Sequence, residues 1–194
     1  MRKLTYLIAC SIDGFIGAPD GDATAMYAYL DEEYLGHLTA EYPETLPTHA
    51  RKQLGVDAMP NRRFDTVIQG RASYDLALKE GITSPYAHLR EYVASRSLTE
   101  SPDPHVEIIS TDLVARVREL KAEEGGLGIY LCGGATLAGE LLDEIDELVV
   151  KTLPIVLGSG MPMFASDFAV TAFTLDAVHT TAGGAMMRTY TRTR

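Results

Sequence analysis

Cysteine is scarce in this sequence, which contains only Cys10 and Cys132, far apart in the chain. Two distant cysteines do not form the disulfide framework of a small secreted protein, and no C-x-x-C pair is present to hold a metal or a redox disulfide. The five histidines also lack the close spacing that metal ligands usually show. The sequence therefore predicts free thiols, no metal site and a cytoplasmic location.

Positive charge and long apolar runs are scarce as well. The chain has 17 Lys and Arg residues against 27 Asp and Glu residues, a formal net charge of -10, which disfavours nonspecific binding to nucleic acids or anionic membranes. The apolar run at residues 4–9 includes a Thr and a Tyr and is shorter than a signal core of about 7 to 15 apolar residues. No other run approaches transmembrane length. We therefore expect neither a nucleic acid nor a membrane as a partner.

The most informative stretch is residues 125–142, where a strand pattern changes into a helix pattern. Ile129–Cys132 is a short apolar run typical of a strand buried on both faces, and Gly133 and Gly134 follow directly. Apolar residues recur at helical spacing from Leu137 onward. Glycines let a backbone turn sharply or a ligand approach closely, and the amides of a helix start attract anions. The pattern predicts either a phosphate contact or a plain strand-to-helix connection.

Two further strand ends carry an arginine beside a hydroxyl group. The predicted strand at 64–69 meets Gly70, Arg71 and Ser73 at the start of a helix, which suits a phosphate, although a surface arginine beside a capping serine gives the same pattern. The predicted strand at 89–94 is followed by Ser95 and Arg96, either a second phosphate contact or an ordinary exposed arginine. The fingerprint G-x-G-x-x-G is absent, which disfavours the standard Rossmann turn.

The order of the predicted elements indicates the fold class. Predicted strands cover residues 3–11, 64–69, 89–94, 106–109, 129–132 and 147–153, followed by strand-like runs at 168–173, 175–180 and 186–191. Helical patterns separate most of the early strands, and no helix separates the last ones. This order predicts an α/β protein whose mostly parallel sheet has an antiparallel C-terminal end. We expect a single domain over residues 1–194, with a helical insertion or lid around residues 25–62.

The insertion contains the first candidate acid. A helical pattern begins at Ala25 and continues through Leu38, with the carboxylates of residues 31–33 between its apolar positions. These carboxylates are either ordinary solvated charges, or one of them faces a ligand from the inner edge of the helix.

With these motifs in place, the sequence resembles the dihydrofolate reductase superfamily and, within it, the RibD C-terminal domain-like family of riboflavin-biosynthesis reductases. The resemblance covers nearly the whole chain. It rests on the order and spacing of ACSIDGFIG at residues 9–17, GRASY at 70–74, VASR at 93–96, CGGATL at 132–137, and the segment 146–160.

The resemblance implies a three-layer fold, with a central sheet of about eight strands, helices on both faces and NADPH bound across the carboxyl ends of the strands. By position, Ala9 and Ile16 would border the nicotinamide, and Ser95 and Arg96 would lie near the 2′-phosphate. The pyrophosphate would be held from two helix starts, by Gly70, Arg71 and Ser73 and by Gly133, Gly134, Ala135, Thr136 and Leu137. The resemblance also implies a homodimer.

At the substrate end, the resemblance implies a carboxylate on the first helix, for which Asp31 or Tyr29 is the counterpart, and a polar side chain on the sixth strand, which is Lys151. Riboflavin reductases often have an acidic residue where this chain has Cys132. We expect an NADPH-dependent reductase that transfers a hydride to a C=N or C=O group of a small pterin-, pyrimidine- or riboflavin-precursor-like substrate. The alternative is a catalytically silent protein of the same fold that binds a nucleotide or sequesters a ligand.

Overall fold

The computed structural model describes residues 1–193 of the chain. Its strands are β1 (Leu4–Cys10), β2 (Phe15–Gly17), β3 (Phe64–Gly70), β4 (Arg90–Ala94), β5 (Val106–Ile109), β6 (Gly128–Gly133), β7 (Glu147–Thr152), β8 (Met161–Pro162), β9 (Phe173–Thr180) and β10 (Met186–Arg192). Its α-helices are α1 (Thr24–Tyr27), α2 (Glu32–Glu41), α3 (Thr48–Gln53), α4 (Arg71–Lys79), α5 (Leu113–Ala122) and α6 (Ala135–Glu140). Short 3-10 turns lie at Pro43–Thr45 and Leu142–Glu144.

Eight strands form one sheet in the order β5-β4-β3-β6-β1-β7-β10-β9. The six strands from β5 to β7 are parallel to their neighbours, and β10 runs antiparallel to both β7 and β9. The short strands β2 and β8 pair separately. The predicted sheet, mostly parallel with an antiparallel C-terminal end, is therefore confirmed.

Both faces of the central sheet are buried, as parallel sheets require. Along β1, Tyr6 joins the apolar cluster that includes residues of α5 and α6, while Leu7 joins the opposite cluster with Tyr34 and Leu38 of α2. Tyr6 and Leu7 are at most 1% exposed. Each such side chain contributes roughly 1.5–3 kcal/mol by leaving water. The helices thus form a layer on each face, and the predicted three-layer arrangement is confirmed.

The prediction of one helix from Ala25 through Leu38 is wrong, because the helix is interrupted at residues 28–31. Asp31 has an extended backbone, and its carboxylate accepts a hydrogen bond of 2.6 Å from the Tyr34 amide. This is the geometry of a residue that caps a new helix, which starts at Glu32. The helical spacing of apolar residues continues across residues 28–31, so the sequence pattern gave no sign of the interruption.

The prediction of a strand at residues 168–173 is also wrong. Residues 168–172 form no strand, Phe168 is 97% exposed and Val170 is 88% exposed, so β9 begins only at Phe173. The two-residue strand β8 was missed because its pairing with β2 is a long-range contact without a local pattern. Apolar and β-branched composition favoured a strand, but strands need a hydrogen-bonding partner.

The middle of the region predicted as an insertion or lid, around Glu44, is hydrogen-bonded to the start of β3. Glu44 is fully buried, and its carboxylate accepts hydrogen bonds of 2.6 and 2.8 Å from the amides of Arg63 and Phe64 at the start of β3. The carbonyl of Glu44 lies 2.9 Å from Nε2 of His88. This part of the region is therefore packed against the sheet. The single-domain assignment and the role of the region as a lid stay predictions.

Candidate cofactor and substrate site

A cavity of about 840 Å³ opens at the carboxyl ends of β3, β4, β5 and β6. Parallel strands end at the same edge of a sheet, so the loops that follow them line a common cleft. The volume lies within the range of about 300–1,000 Å³ typical of ligand pockets. The lining consists of residues 70–72, 94–97, 109–115 and 134–137, together with Arg118, Glu140 and Met161.

The glycine turn after β6 forms one corner of this cavity. Gly133 has a φ of +108°, a backbone conformation that favours glycine, and a Cβ there would lie 3.3 Å from the Tyr6 ring. A Cβ on Gly70 would lie 3.3 Å from the Gly133 carbonyl oxygen. The Gly133–Gly134 peptide bond is cis. Packing therefore requires glycine here with or without a ligand, and the turn also brings the ends of β3 and β6 together.

The starts of α4 and α6 lie close together at this corner. The side chain of Ser73 donates a long hydrogen bond of 3.5 Å to the Gly133 carbonyl, which links α4 to the glycine turn. No side chain caps the start of α6, and its first three residues, Ala135, Thr136 and Leu137, line the cavity. The first amides of a helix have no acceptor within the helix, so these are available at the cavity wall.

Two arginines on the cavity wall have only weak or exposed partners. Nε of Arg71 contacts the Asp75 carboxylate at 2.5 Å, with both side chains 36% exposed. Arg96 is 86% exposed and lies 3.4 Å from the Glu140 carboxylate. Exposed ion pairs contribute at most about 1 kcal/mol, so both guanidinium groups are free to turn toward an anion. The buried hydroxyl of Ser95 accepts from the Leu98 amide at 2.9 Å and shapes the loop that carries Arg96.

Ala9 and Ile16 are not among the residues that line this cavity. Ala9 packs against the α2-side cluster, and Ile16 belongs to the cluster on the α5 and α6 side. Gly17, the neighbour of Ile16, pairs with Met161 of β8, which does line the cavity. The two residues therefore pack on opposite faces of the sheet, and their place beside a nicotinamide stays a prediction.

Lys151 lies on the α2 face at the end of β7. It stands opposite Ala9 of β1 and Met187 of β10 in the strand pairing. Burial lowers the pKa of the Lys151 ammonium to about 8, although the nearby thiols of Cys132 and Cys10 act in the opposite direction. A half-buried amine with such a pKa is suited to hold or transfer a proton near neutral pH.

Cys132 stands beside two buried tyrosines that sequence reasoning missed. The Tyr86 hydroxyl lies 3.4 Å from the Cys132 sulfur, and the Tyr86 and Tyr130 rings meet edge to face with centroids 6.0 Å apart. Burial raises the pKa of both tyrosine hydroxyls well above their ordinary value, so both stay neutral. Tyr130 sits in the predicted strand, but its partner Tyr86 comes from a loop much earlier in the chain, which no local pattern reveals.

A buried carboxyl group lies next to these tyrosines and was also missed. Glu91 is 2% exposed and accepts hydrogen bonds from the Gln69 amide at 2.6 Å, the Ser84 hydroxyl at 2.9 Å and the Tyr86 backbone at 3.2 Å. Burial raises the pKa of Glu91 to about 7, against the effect of these hydrogen bonds. The available signal was a charged residue inside the apolar strand pattern of β4.

The carboxylate of Asp31 is occupied at the start of α2. Besides capping the helix, it accepts a contact of 3.4 Å from the Thr181 hydroxyl, in the turn between β9 and β10. Tyr29, the other candidate, is 45% exposed. A catalytic role for Asp31 would require this cap to open.

Two negative findings apply to residues 1–193. No group of three or more His, Cys, Asp or Glu side chains is arranged to hold a metal ion. Over the same residues, no helix has both the length and the apolar character needed to cross a bilayer.

The sheet order, the antiparallel end and the cavity at the strand ends define a protein with the dihydrofolate reductase-like fold. Residues 2–187 match the family model of the RibD C-terminal domain. The chain belongs to the RibD C-terminal domain family, as its motifs predicted.

The chain is also similar to individual proteins of known sequence or structure. The chain is 33% identical over 165 residues to the uncharacterized protein YwjB of Bacillus subtilis, covering 84% of this chain and 83% of YwjB. A putative riboflavin biosynthesis protein from Shewanella sp. PV-4 superposes over 100% of both chains, with a TM-score of 0.73 and 25% identity. A dihydrofolate reductase from Enterococcus faecalis, complexed with NADP(H), superposes over 99% of this chain and 97% of its own, with a TM-score of 0.62 and 14% identity. The last likeness shows the fold alone.

Proposed function

We propose that this protein is an NADPH-dependent reductase that transfers a hydride to a C=N or C=O group of a small substrate. One observation carries the proposal: a cavity of about 840 Å³ gathers two helix starts and two weakly paired arginines at the carboxyl ends of parallel strands. Such a set of donors complements several phosphate groups at once. Membership of the RibD C-terminal domain family supports the same function.

The residues present fit a dinucleotide with an extra phosphate. Gly70, Arg71 and Ser73 on one side and residues 133–137 on the other would hold the pyrophosphate, and Ser95 with Arg96 would hold the 2′-phosphate. Ala9 and Ile16 would border the nicotinamide. When bound, NADPH supplies a hydride. The protein supplies orientation, exclusion of water and a proton.

Lys151 is the better supported of the two candidate proton donors. Its ammonium has a pKa of about 8, whereas the Asp31 carboxylate is engaged as a helix cap. A general acid is most effective when its pKa lies near the working pH. Asp31 is the alternative acid if the start of α2 opens when substrate binds.

Binding of the cofactor is the direct test. The chain contains no tryptophan, so the fluorescence of reduced nicotinamide is read without tryptophan interference. We expect NADPH to bind more tightly than NADH, and substrate-dependent loss of absorbance at about 340 nm, the nicotinamide band, to follow with a carbonyl or imine panel. No fluorescence change at millimolar NADPH would rule the proposal out.

A second candidate is a protein of the same fold that binds a nucleotide or a ligand without turnover. The occupied carboxylate of Asp31 favours it, because that side chain is the counterpart of the family acid. Cofactor binding without oxidation against any carbonyl, imine or pterin would support this function, and steady turnover would exclude it.

We also propose a homodimer in the cytoplasm. The edge strand β9 exposes Leu175 and Val178, each 51% exposed, and an apolar sheet edge of this kind is usually covered. Sedimentation of the purified protein measures the oligomeric state.

A further inference from the structure

The α2 face of the sheet carries a cation without a counter-ion. Within residues 1–193, Lys151 has neither an ion-pair partner nor a hydrogen-bond acceptor. Ala9, Cys132 and Lys151 are partly exposed, whereas the residues two positions earlier on their strands are at most 5% exposed. Exposure on this face therefore increases toward the carboxyl ends of β1, β6 and β7, and this more exposed end, at Ala9, Cys132 and Lys151, forms the opening of the α2 face. An unpaired ammonium in apolar surroundings is stabilised by an anionic or strongly polar oxygen.

Three candidate carboxylates, those of Asp31, Glu33 and Glu91, already accept hydrogen bonds. Asp31 accepts from the Tyr34 amide at 2.6 Å, and Glu33 accepts from the Ala182 amide at 2.7 Å. Glu91 is buried in its own hydrogen-bonded pocket. An amidine-like group, such as the 2-amino and ring nitrogen edge of a pterin or a diaminopyrimidine, would have to compete with these hydrogen bonds for a carboxylate.

The two tyrosines beside Cys132 are neutral polar groups. The hydroxyl of Tyr86 faces the sulfur of Cys132, and Tyr130 packs against the Tyr86 ring. These groups offer hydrogen bonds without charge. Among these groups, the Lys151 ammonium carries the positive charge, and the tyrosines beside Cys132 are neutral.

We propose that the site takes an oxygen-rich carbonyl compound that is anionic or readily forms an enolate, with one of its oxygens paired to the Lys151 ammonium. A 2-amino-substituted pterin or pyrimidine would meet the Lys151 ammonium and would have to compete for carboxylates that already accept hydrogen bonds. This inference rests on the proposed function and specifies its substrate class.

The chemistry of the proposed step balances with the groups present. The substrate carbonyl carbon gains the hydride, its carbon–oxygen π bond breaks, and the oxygen takes a proton from the Lys151 ammonium. The product is an alcohol, and the neutral amine regains a proton from solvent. The hydride comes from the reduced nicotinamide of the proposed function, so no further reductant is needed.

Two ring compounds of similar size, one an anion rich in carbonyl oxygens and the other a base rich in amino groups, test the substrate class. Barbiturate is an anionic ring with three carbonyl oxygens, and 2,4-diaminopyrimidine is a base that presents amino groups. Titration calorimetry measures both, with the protein alone and with NADPH added. We expect barbiturate to bind at least about tenfold more tightly than 2,4-diaminopyrimidine, equivalent to about 1.4 kcal/mol.

Three variants test whether the Lys151 ammonium is responsible for the binding of barbiturate. Lys151→Met keeps a long unbranched side chain without charge and should lose barbiturate binding by about tenfold or more, whereas Lys151→Arg should retain most of it. Lys79→Met, at the exposed end of α4, is the matched control and should bind as the wild type does. Circular dichroism verifies that each variant is folded.

The outcomes separate this inference from the proposed function. Absence of barbiturate binding at millimolar concentration, tighter binding of 2,4-diaminopyrimidine, or unchanged barbiturate binding in folded Lys151→Met would overturn the inference, even if NADPH binds. Barbiturate binding that depends on Lys151 would support it even if NADPH fails to bind, which would count against the proposed function alone.

Discussion

Lys151 stands directly opposite Ala9 in the parallel pairing of β7 with β1, and both lie on the α2 face of the sheet. Alanine has the smallest side chain of the L-residues, so the long side chain of Lys151 has space above Ala9. The next strand on the other side of β1 ends at Cys132 and the glycine turn. Strand β1 therefore separates the proposed proton donor on β7 from the proposed cofactor site at the end of β6, and Ala9 is the β1 residue that faces Lys151.

Replacement of Lys151 should stabilise the protein while impairing the site. Burial holds the folded pKa at about 8, below the ordinary 10.5, so the charged amine destabilises the folded state below about pH 8. This cost decreases as pH rises from the folded value to the unfolded one, because the folded state then carries less of the charge. We expect Lys151→Met to raise the free energy of unfolding at neutral pH by on the order of 1–3 kcal/mol.

Urea unfolding at several pH values measures this effect. The advantage of Lys151→Met over the wild type should shrink above about pH 8 and vanish above the ordinary lysine pKa. A variant that is less stable than the wild type at neutral pH would show that the ammonium has a stabilising partner.

Arg71→Ala and Arg96→Ala should each weaken NADPH binding. A charge-assisted hydrogen bond to a phosphate contributes about 1.5–3 kcal/mol, which corresponds to a loss of roughly tenfold to a hundredfold. Arg96→Ala should also reduce the preference for NADPH over NADH, because its partner would be the 2′-phosphate, whereas Arg71→Ala should weaken both cofactors.

Fluorescence titration with the two cofactors measures both affinities. Arg62→Ala is the matched control, since Arg62 is also exposed and lies outside the cavity lining. Equal losses for NADPH and NADH in Arg96→Ala would place Arg96 away from the 2′-phosphate.

Local patterns predicted most of the sheet because its strands are apolar and bounded by turn residues. The strand predicted at 64–69 is β3 (Phe64–Gly70), and the one predicted at 106–109 is β5 (Val106–Ile109). The order of strands and helices then determined the parallel arrangement, since a crossover helix returns the chain to the same edge. The motifs at Gly70 and Gly133 met at one corner for the same reason.

Long-range partners account for what the sequence did not reveal. Tyr86 reaches Cys132 from a loop before β4, and Gln69 reaches Glu91 from the neighbouring strand. Asp31 interrupts an apolar pattern that continues across it, because capping depends on backbone geometry and not on periodicity. The partners of Cys132 and Glu91 stand at no fixed sequence spacing, whereas the partner of Asp31 is three residues on and the backbone geometry decides whether the cap forms.

Two glycine-to-alanine substitutions should have opposite effects on stability. Gly36 lies inside α2, and a Cβ added there would have no atom within 4 Å, so Gly36→Ala should stabilise the protein by about 0.5–1 kcal/mol through helix propensity. A Cβ on Gly139 of α6 would lie 2.0 Å from the Ala165 carbonyl oxygen. Gly139→Ala should therefore destabilise by about 1–3 kcal/mol.

Thermal unfolding of the two variants under the same conditions measures the contrast. The loss in Gly139→Ala reports how firmly the chain around Ala165 packs on α6, where the Ala165 amide also donates to the Ala135 carbonyl at 3.0 Å. A neutral Gly139→Ala would mean that this segment moves aside at little cost.

His37 of α2 and His179 of β9 form a stacked pair that should make stability depend on pH. Their ring centroids are 3.8 Å apart and their planes are inclined by 7°. Burial, and then the neighbouring His179, lower the pKa of His37, with Arg63 acting in the same direction and Glu41 in the opposite one. The pKa of His37 is lower in the folded state than in the unfolded state. As pH falls through the unfolded pKa, the unfolded state therefore binds more protons than the folded state, and the free energy of unfolding decreases.

Substitution of His37 isolates this contribution. His37→Phe keeps a flat ring against His179 but cannot bind a proton, so it should lose less stability than the wild type between about pH 7.5 and about pH 5. His49→Phe, at an exposed histidine, is the control and should follow the wild type. His88, whose pKa burial also lowers, is present in all three proteins and cancels in the comparison. Identical pH dependence in His37→Phe and the wild type would show that His37 does not contribute to the loss of stability in this range.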